Sequence, residues 1–81
     1  HTTGAPDMSR EAMALFIADF IEPERDHPQV DEIRSIANLS LEQAVARITK
    51  CSIEKLIKKS VQIHPFTFEC WNYYCKYIPN S

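Results

Sequence analysis

Residues 40–63, SLEQAVARITKCSIEKLIKKSVQI, decide how this chain folds. The segment contains no proline and no glycine, and its apolar residues recur at helical spacing. Leu41, Ala44, Val45, Ile48 and Cys51 lie on one face. Ile53, Leu56, Ile57 and Val61 lie on another, turned away by more than ~100° on the same wheel. A straight helix cannot press both stripes against one core. Ser52 stands at the change of phase and can cap a new helix. The phase therefore predicts two helices, about 41–50 and 53–63. With no strong breaker between them, a single helix stays open.

Outward from this segment, each flank reads as helix. Ser40-Leu41-Glu42-Gln43 fits a capping box. Upstream, Asp7 or Ser9 can cap a helix over about 8–21, which Pro23 ends. That helix is apolar over more than half its circumference, as expected of a central or interface helix. Asp26 or His27 can cap the next, with Pro28 in its first turn and Val30, Ile33, Ile36 and Ala37 facing inward. Downstream, His64-Pro65 ends the fourth helix. Thr67 can cap a fifth over about 68–77. The single glycine, Gly4, leaves no material for tight hairpin turns, which disfavours a β architecture. The expected fold is all-α: a compact orthogonal bundle of four to five short helices. Residues 1–6 read as a flexible segment or cloning remnant, and 7–81 as one domain. No segment has the roughly 20 apolar residues that span a bilayer, and no leader remains before His1.

The tail His64–Pro79, HPFTFECWNYYCKYIP, holds six of the eight aromatic residues and two of the three cysteines. On the fifth helix, Phe68, Trp71, Cys75 and Ile78 form the expected inward stripe. Cys70, Tyr73 and Tyr77 are expected outside, with Phe66 just ahead of them. Cys70 and Cys75 point about 140° apart on a helix and cannot pair. The favoured disulfide is Cys51–Cys75, with Cys51–Cys70 close behind. It would stabilise the domain by ~3 kcal/mol and suits a secreted or periplasmic protein. Cys70 is then the spare thiol, free or bridging a homodimer that could also form through the apolar first helix. Asn38-Leu39-Ser40 is a glycosylation sequon, usable only in a eukaryotic secreted protein.

Charge divides along the chain. Residues 1–45 carry nine acidic and three basic residues, whereas 46–81 carry two acidic and six basic ones. Lys55, Lys58 and Lys59 cluster on the fourth helix, with Arg47 and Lys50 upstream. Their ordinary reading is the solvated face of an amphipathic helix. Their functional reading is a patch for an acidic partner.

Signatures of chemistry are missing. There is no phosphate-cradling glycine loop, GxSxG, HExxH or CxxC. Cys51, Cys70, Cys75 and His64 lack zinc-ligand spacing, and copper at His1 is a remote option. No catalytic residue, metal or cofactor is expected. The expected function is a non-catalytic protein-binding module, of an extracytoplasmic inhibitor, immunity, effector or signalling kind. Phe66, Tyr73, Tyr77, Lys55, Lys58 and Lys59 would meet an acidic protein surface. The alternative is a helix-turn-helix nucleic-acid binder using Arg47, Lys50, Lys55, Lys58 and Lys59.

Overall fold

The computed structural model describes residues 7–22 and 28–79. Expectations for His1, residues 1–6, Pro23, Asp26 and His27 lie outside the described residues. Four α-helices follow one another: α1 (Arg10–Ile21), α2 (Pro28–Leu39), α3 (Leu41–Lys58) and α4 (Pro65–Tyr74). A 3₁₀ turn, Cys75–Tyr77, follows α4. Among the described residues there is no strand, as the all-α expectation required. None of their helices is long and apolar enough to cross a membrane.

Helix α3 is the hub, touching α1, α2, α4 and the 3₁₀ turn. Its first stripe is buried as expected: Ala44 and Val45 are fully covered and Ile48 nearly so. Met13, Phe16 and Ile17 pack onto it from α1, Ile33 from α2, and Cys70 and Tyr74 from α4. The radius of gyration is 11.8 Å, close to the roughly 12 Å expected of a closed globule this size.

Capping fixes where the helices begin. The Ser9 hydroxyl accepts the Ala12 N–H at 3.1 Å and opens α1. The Ser40 hydroxyl accepts the Gln43 N–H at 3.2 Å and opens α3. Only that half of the expected box forms, because the Ser40 N–H is already given to the Ile36 carbonyl. That bond joins α2 to α3 with no slack.

The two-helix reading of 41–63 is corrected. Helix α3 runs unbroken through Ser52 for 18 residues. The premise survives, since one straight helix does not bury both stripes. The second stripe is left partly outside instead: Ile53 and Leu56 are half-buried, whereas Ile57 is 61% and Val61 48% exposed. The helix stops with Ser60 in the left-handed region (φ 58°). The Val61 N–H reaches the Leu56 carbonyl and the Ser60 N–H the Ile57 carbonyl, the paired bonds of a Schellman motif.

The tail is corrected too. His64, not Thr67, caps α4; its Nδ1 accepts the Phe66 N–H at 3.1 Å, and Pro65 fills the first turn. The buried stripe is Thr67, Cys70 and Tyr74, one residue, or about 100°, from the expected one. Phe68 is exposed, and Trp71 and Cys75 are half-buried. Cys70, expected as the surface spare, is fully buried 3.5 Å from the Thr49 hydroxyl. No disulfide forms: Cys51, Cys70 and Cys75 are all free thiols. The Cys51 thiol instead donates to the Gln29 amide oxygen, and the Cys75 thiol to the Asn72 carbonyl.

Candidate functional site

Two clefts flank the second half of α3, and they differ in chemistry. The first is lined by Gln29 from α2 and by Cys51, Glu54, Lys55 and Lys58 from α3. It is a charged, open furrow of about 190 Å³. Lys55 and Lys58 occupy the last turn of α3, where cations complement the helix dipole, and Glu42 occupies the first turn. That electrostatic role accounts for the lysine cluster before any ligand is invoked. Arg47, upstream, is paired with Glu32 of α2 at the surface.

The second cleft, of about 260 Å³, lies where α1, α3 and the start of α4 meet. Phe16 and Leu56 supply its apolar wall. Thr49, Ser52 and Thr67 contribute hydroxyl-bearing side chains, and Gln62 and His64 line it from the connection after α3. The Schellman turn at Ser60 swings the chain so that Gln62 and His64 can reach this place. Thr49 is already engaged, donating to the Val45 carbonyl at 2.8 Å. His64 has committed Nδ1 to its helix cap and stacks obliquely with Phe66, ring centroids 5.0 Å apart.

The residues expected to form one aromatic and basic face do not converge. Phe66 is exposed in the first turn of α4, whereas Tyr73 lies at its far end and Tyr77 beyond it in the 3₁₀ turn. Tyr73 and Tyr77 share a cation, Lys76, whose Nζ sits 4.5 and 5.6 Å from their ring centres. Lys55 and Lys58 line the charged furrow, and Lys59 is the C-terminal cap of α3.

Sequence reasoning missed Tyr74. Only 1% exposed, it lies edge-on to Tyr73. Its hydroxyl oxygen accepts the Met8 N–H at 2.7 Å, across 66 residues of chain. Next to it the Tyr73 hydroxyl donates to the Asp7 carboxylate at 3.2 Å. These two bonds hold the approach to α1 against α4, where Asp7 takes a left-handed φ of 57°. The Asp7 carboxylate beside it raises the Tyr73 phenol above its ordinary value. For Tyr74 burial dominates, and it outweighs the Met8 bond that pulls the other way. The usable signal was a tyrosine among apolar rings: a buried phenol needs a partner, and an N–H at a helix entrance is one. Among the described residues no three His, Cys, Asp or Glu side chains gather to hold a metal.

Comparison with known proteins overturns the functional expectation. The chain is 41% identical over 76 residues to a symmetrical bis(5'-nucleosyl)-tetraphosphatase of Staphylococcus aureus. It is 38% identical over 73 residues to the protein of the same description in Bacillus subtilis. These alignments take in 91% and 90% of this chain. A solved structure from Clostridium acetobutylicum, described as a predicted HD superfamily hydrolase involved in NAD metabolism, superposes with a TM-score of 0.86. It shares 38% sequence identity and covers 95% of this chain. The relatives are enzymes. The chain spans about two-fifths of their length: 39% of each curated relative and 41% of the solved structure. No family model matches it.

The non-catalytic protein-binding module is therefore corrected, and with it the helix-turn-helix alternative and the absence of enzyme character. The relatives that resemble nine-tenths of this sequence are hydrolases. The secreted or periplasmic location falls with the same finding. Its physical basis was a disulfide, and all three thiols are free.

Proposed function

We propose that this chain forms part of a hydrolase that cleaves the phosphate chain joining two nucleosides. A symmetrical cut of such a tetraphosphate adds one water across the central phosphoanhydride and releases two nucleoside diphosphates. The observation that carries this reading is the identity of about 40% over nine-tenths of the chain to proteins of that one description. Identity at this level, spread over a helical frame that superposes on a solved hydrolase, supports a shared scaffold. The chain's described residues give that scaffold a rigid α3 hub, a tied entrance to α1 and an uncharged cleft.

The test replaces the matched two-fifths of the Staphylococcus aureus relative with this chain. A folded chimera that releases nucleoside diphosphates from a dinucleoside tetraphosphate, well above a mock preparation, is the expected result. A folded chimera that leaves the tetraphosphate intact overturns the reading. Cleavage of NAD in its place would move the substrate toward the description of the Clostridium acetobutylicum neighbour.

A further inference from the structure

The uncharged cleft between α1, α3 and the start of α4 has the chemistry of a nucleoside site. None of its lining residues is an acid, a lysine or an arginine. A phosphate chain would find no fixed counter-charge there, whereas the neighbouring furrow offers Lys55 and Lys58. At about 260 Å³ it lies below the roughly 300–1,000 Å³ of sites that enclose a whole drug-sized ligand, so it suits one ring system rather than a dinucleotide.

Its walls suit a flat heteroaromatic ring. Phe16 and Leu56 offer apolar surface, and Ser52, Gln62 and Thr67 bring hydroxyl and amide groups that can both donate and accept. Bases held by proteins outside a duplex are recognised in this way, by stacking on apolar faces and hydrogen bonding along their edges.

Thr67 singles the cleft out. The residue is only 9% exposed, and since no side-chain oxygen or nitrogen among the described residues is buried without a partner, Thr67 keeps contact with solvent at the cleft it lines. Its backbone N–H is spent on the His64 carbonyl at 2.9 Å. Thr49, the other buried threonine, has its hydroxyl satisfied by the Val45 carbonyl. Thr67 lines the cleft with a hydroxyl that can both donate and accept.

We propose that this cleft binds the base of a nucleoside, with Thr67 and Gln62 contacting the ring edge and Phe16 and Leu56 its face. The proposal rests on the reading of the chain as part of a nucleotide hydrolase and names the portion of substrate this part holds. The phosphates would lie outside the cleft.

Adenosine, which carries no phosphate, tests it by amide chemical-shift titration of this 81-residue chain, with inorganic tripolyphosphate as a second titrant. Saturable shifts with adenosine at Ser52, Gln62, His64 and Thr67, and none there with tripolyphosphate, are expected. Thr67→Val should weaken adenosine about five- to tenfold, as one lost hydrogen bond predicts, while Thr67→Ser keeps it. Gln62→Leu, at an exposed position, should weaken it without touching the core. Thermal unfolding of each variant confirms that it is folded. The proposal is overturned by an absence of saturable shifts at millimolar adenosine, by shifts that map elsewhere, or by unchanged affinity in both Thr67→Val and Gln62→Leu. Adenosine binding with an inactive chimera would leave the cleft standing and remove the hydrolase reading. An active chimera whose chain ignores adenosine would remove the cleft alone.

Discussion

Replacing Tyr74 with phenylalanine tests the tie between the two ends of this domain. The ring is buried and would stay buried, so packing is kept and one oxygen is lost. That oxygen accepts the Met8 N–H at 2.7 Å. Leaving a buried donor without its acceptor costs about 1–3 kcal/mol. Met8 is half-buried, so water can partly replace the phenol, which places the loss in the lower part of that range, about 1–2 kcal/mol. For a domain of this size each kcal/mol lowers the melting temperature by about 4–8 °C. Urea unfolding followed by the fluorescence of half-buried Trp71 reads the change, and the denaturant slope should stay fixed because the buried surface does. The substitution also has a pH signature. Burial raises the folded Tyr74 phenol above its unfolded value of about 10. Its contribution is thus fully present below pH 10 and is lost as the pH rises through the folded value. Tyr74→Phe should therefore flatten part of the alkaline loss of stability. A change below about 0.5 kcal/mol with the alkaline profile untouched would refute the reasoning, since surface substitutions fall in that range.

Other outcomes follow from single features. Ser60→Gly should stabilise by about 0.5–1 kcal/mol, because a left-handed helix C-terminus favours glycine, and chemical denaturation checks it. Ser40→Ala should cost about 1 kcal/mol through the lost cap of α3, read in the same assay. Alkylation without reductant should find three thiols in the unfolded chain, with Cys70 protected until unfolding. Any disulfide-linked fraction in the native protein would contradict the free thiols of the structure.

The helices were legible because their signals are local. Ser9 and Ser40 cap where a hydroxyl precedes an apolar run, and Pro28 opens α2. The α3 stripe of Ala44, Val45 and Ile48 was readable because it has one phase. Helix α4 was not, because its apolar residues go all the way round. Helical spacing fits Phe68, Trp71 and Cys75 as well as it fits Thr67, Cys70 and Tyr74 one residue earlier, so periodicity gives no preferred face. The cleft was equally hidden, since its lining comes from three separate parts of the chain. Function was hidden because the spacings looked for, a glycine phosphate loop, GxSxG, HExxH and CxxC, do not occur in these 81 residues.

By itself the sequence determined the all-helical character of the described residues, the start of α3, and the face that α3 buries. Those follow from steric and hydrogen-bonding preferences that act within a few residues. Only the tertiary structure decided that α3 would stay whole and leave Ile57 and Val61 outside. It also decided that α4 would turn Tyr74 inward and that the cysteines would stay apart. Each of those outcomes depends on what meets the helix across the core: Thr49 against Cys70, the Met8 N–H against Tyr74, Gln29 against Cys51. A helix supplies the same hydrogen bonds whichever face it presents, so its own residues cannot settle its rotation when every face is apolar.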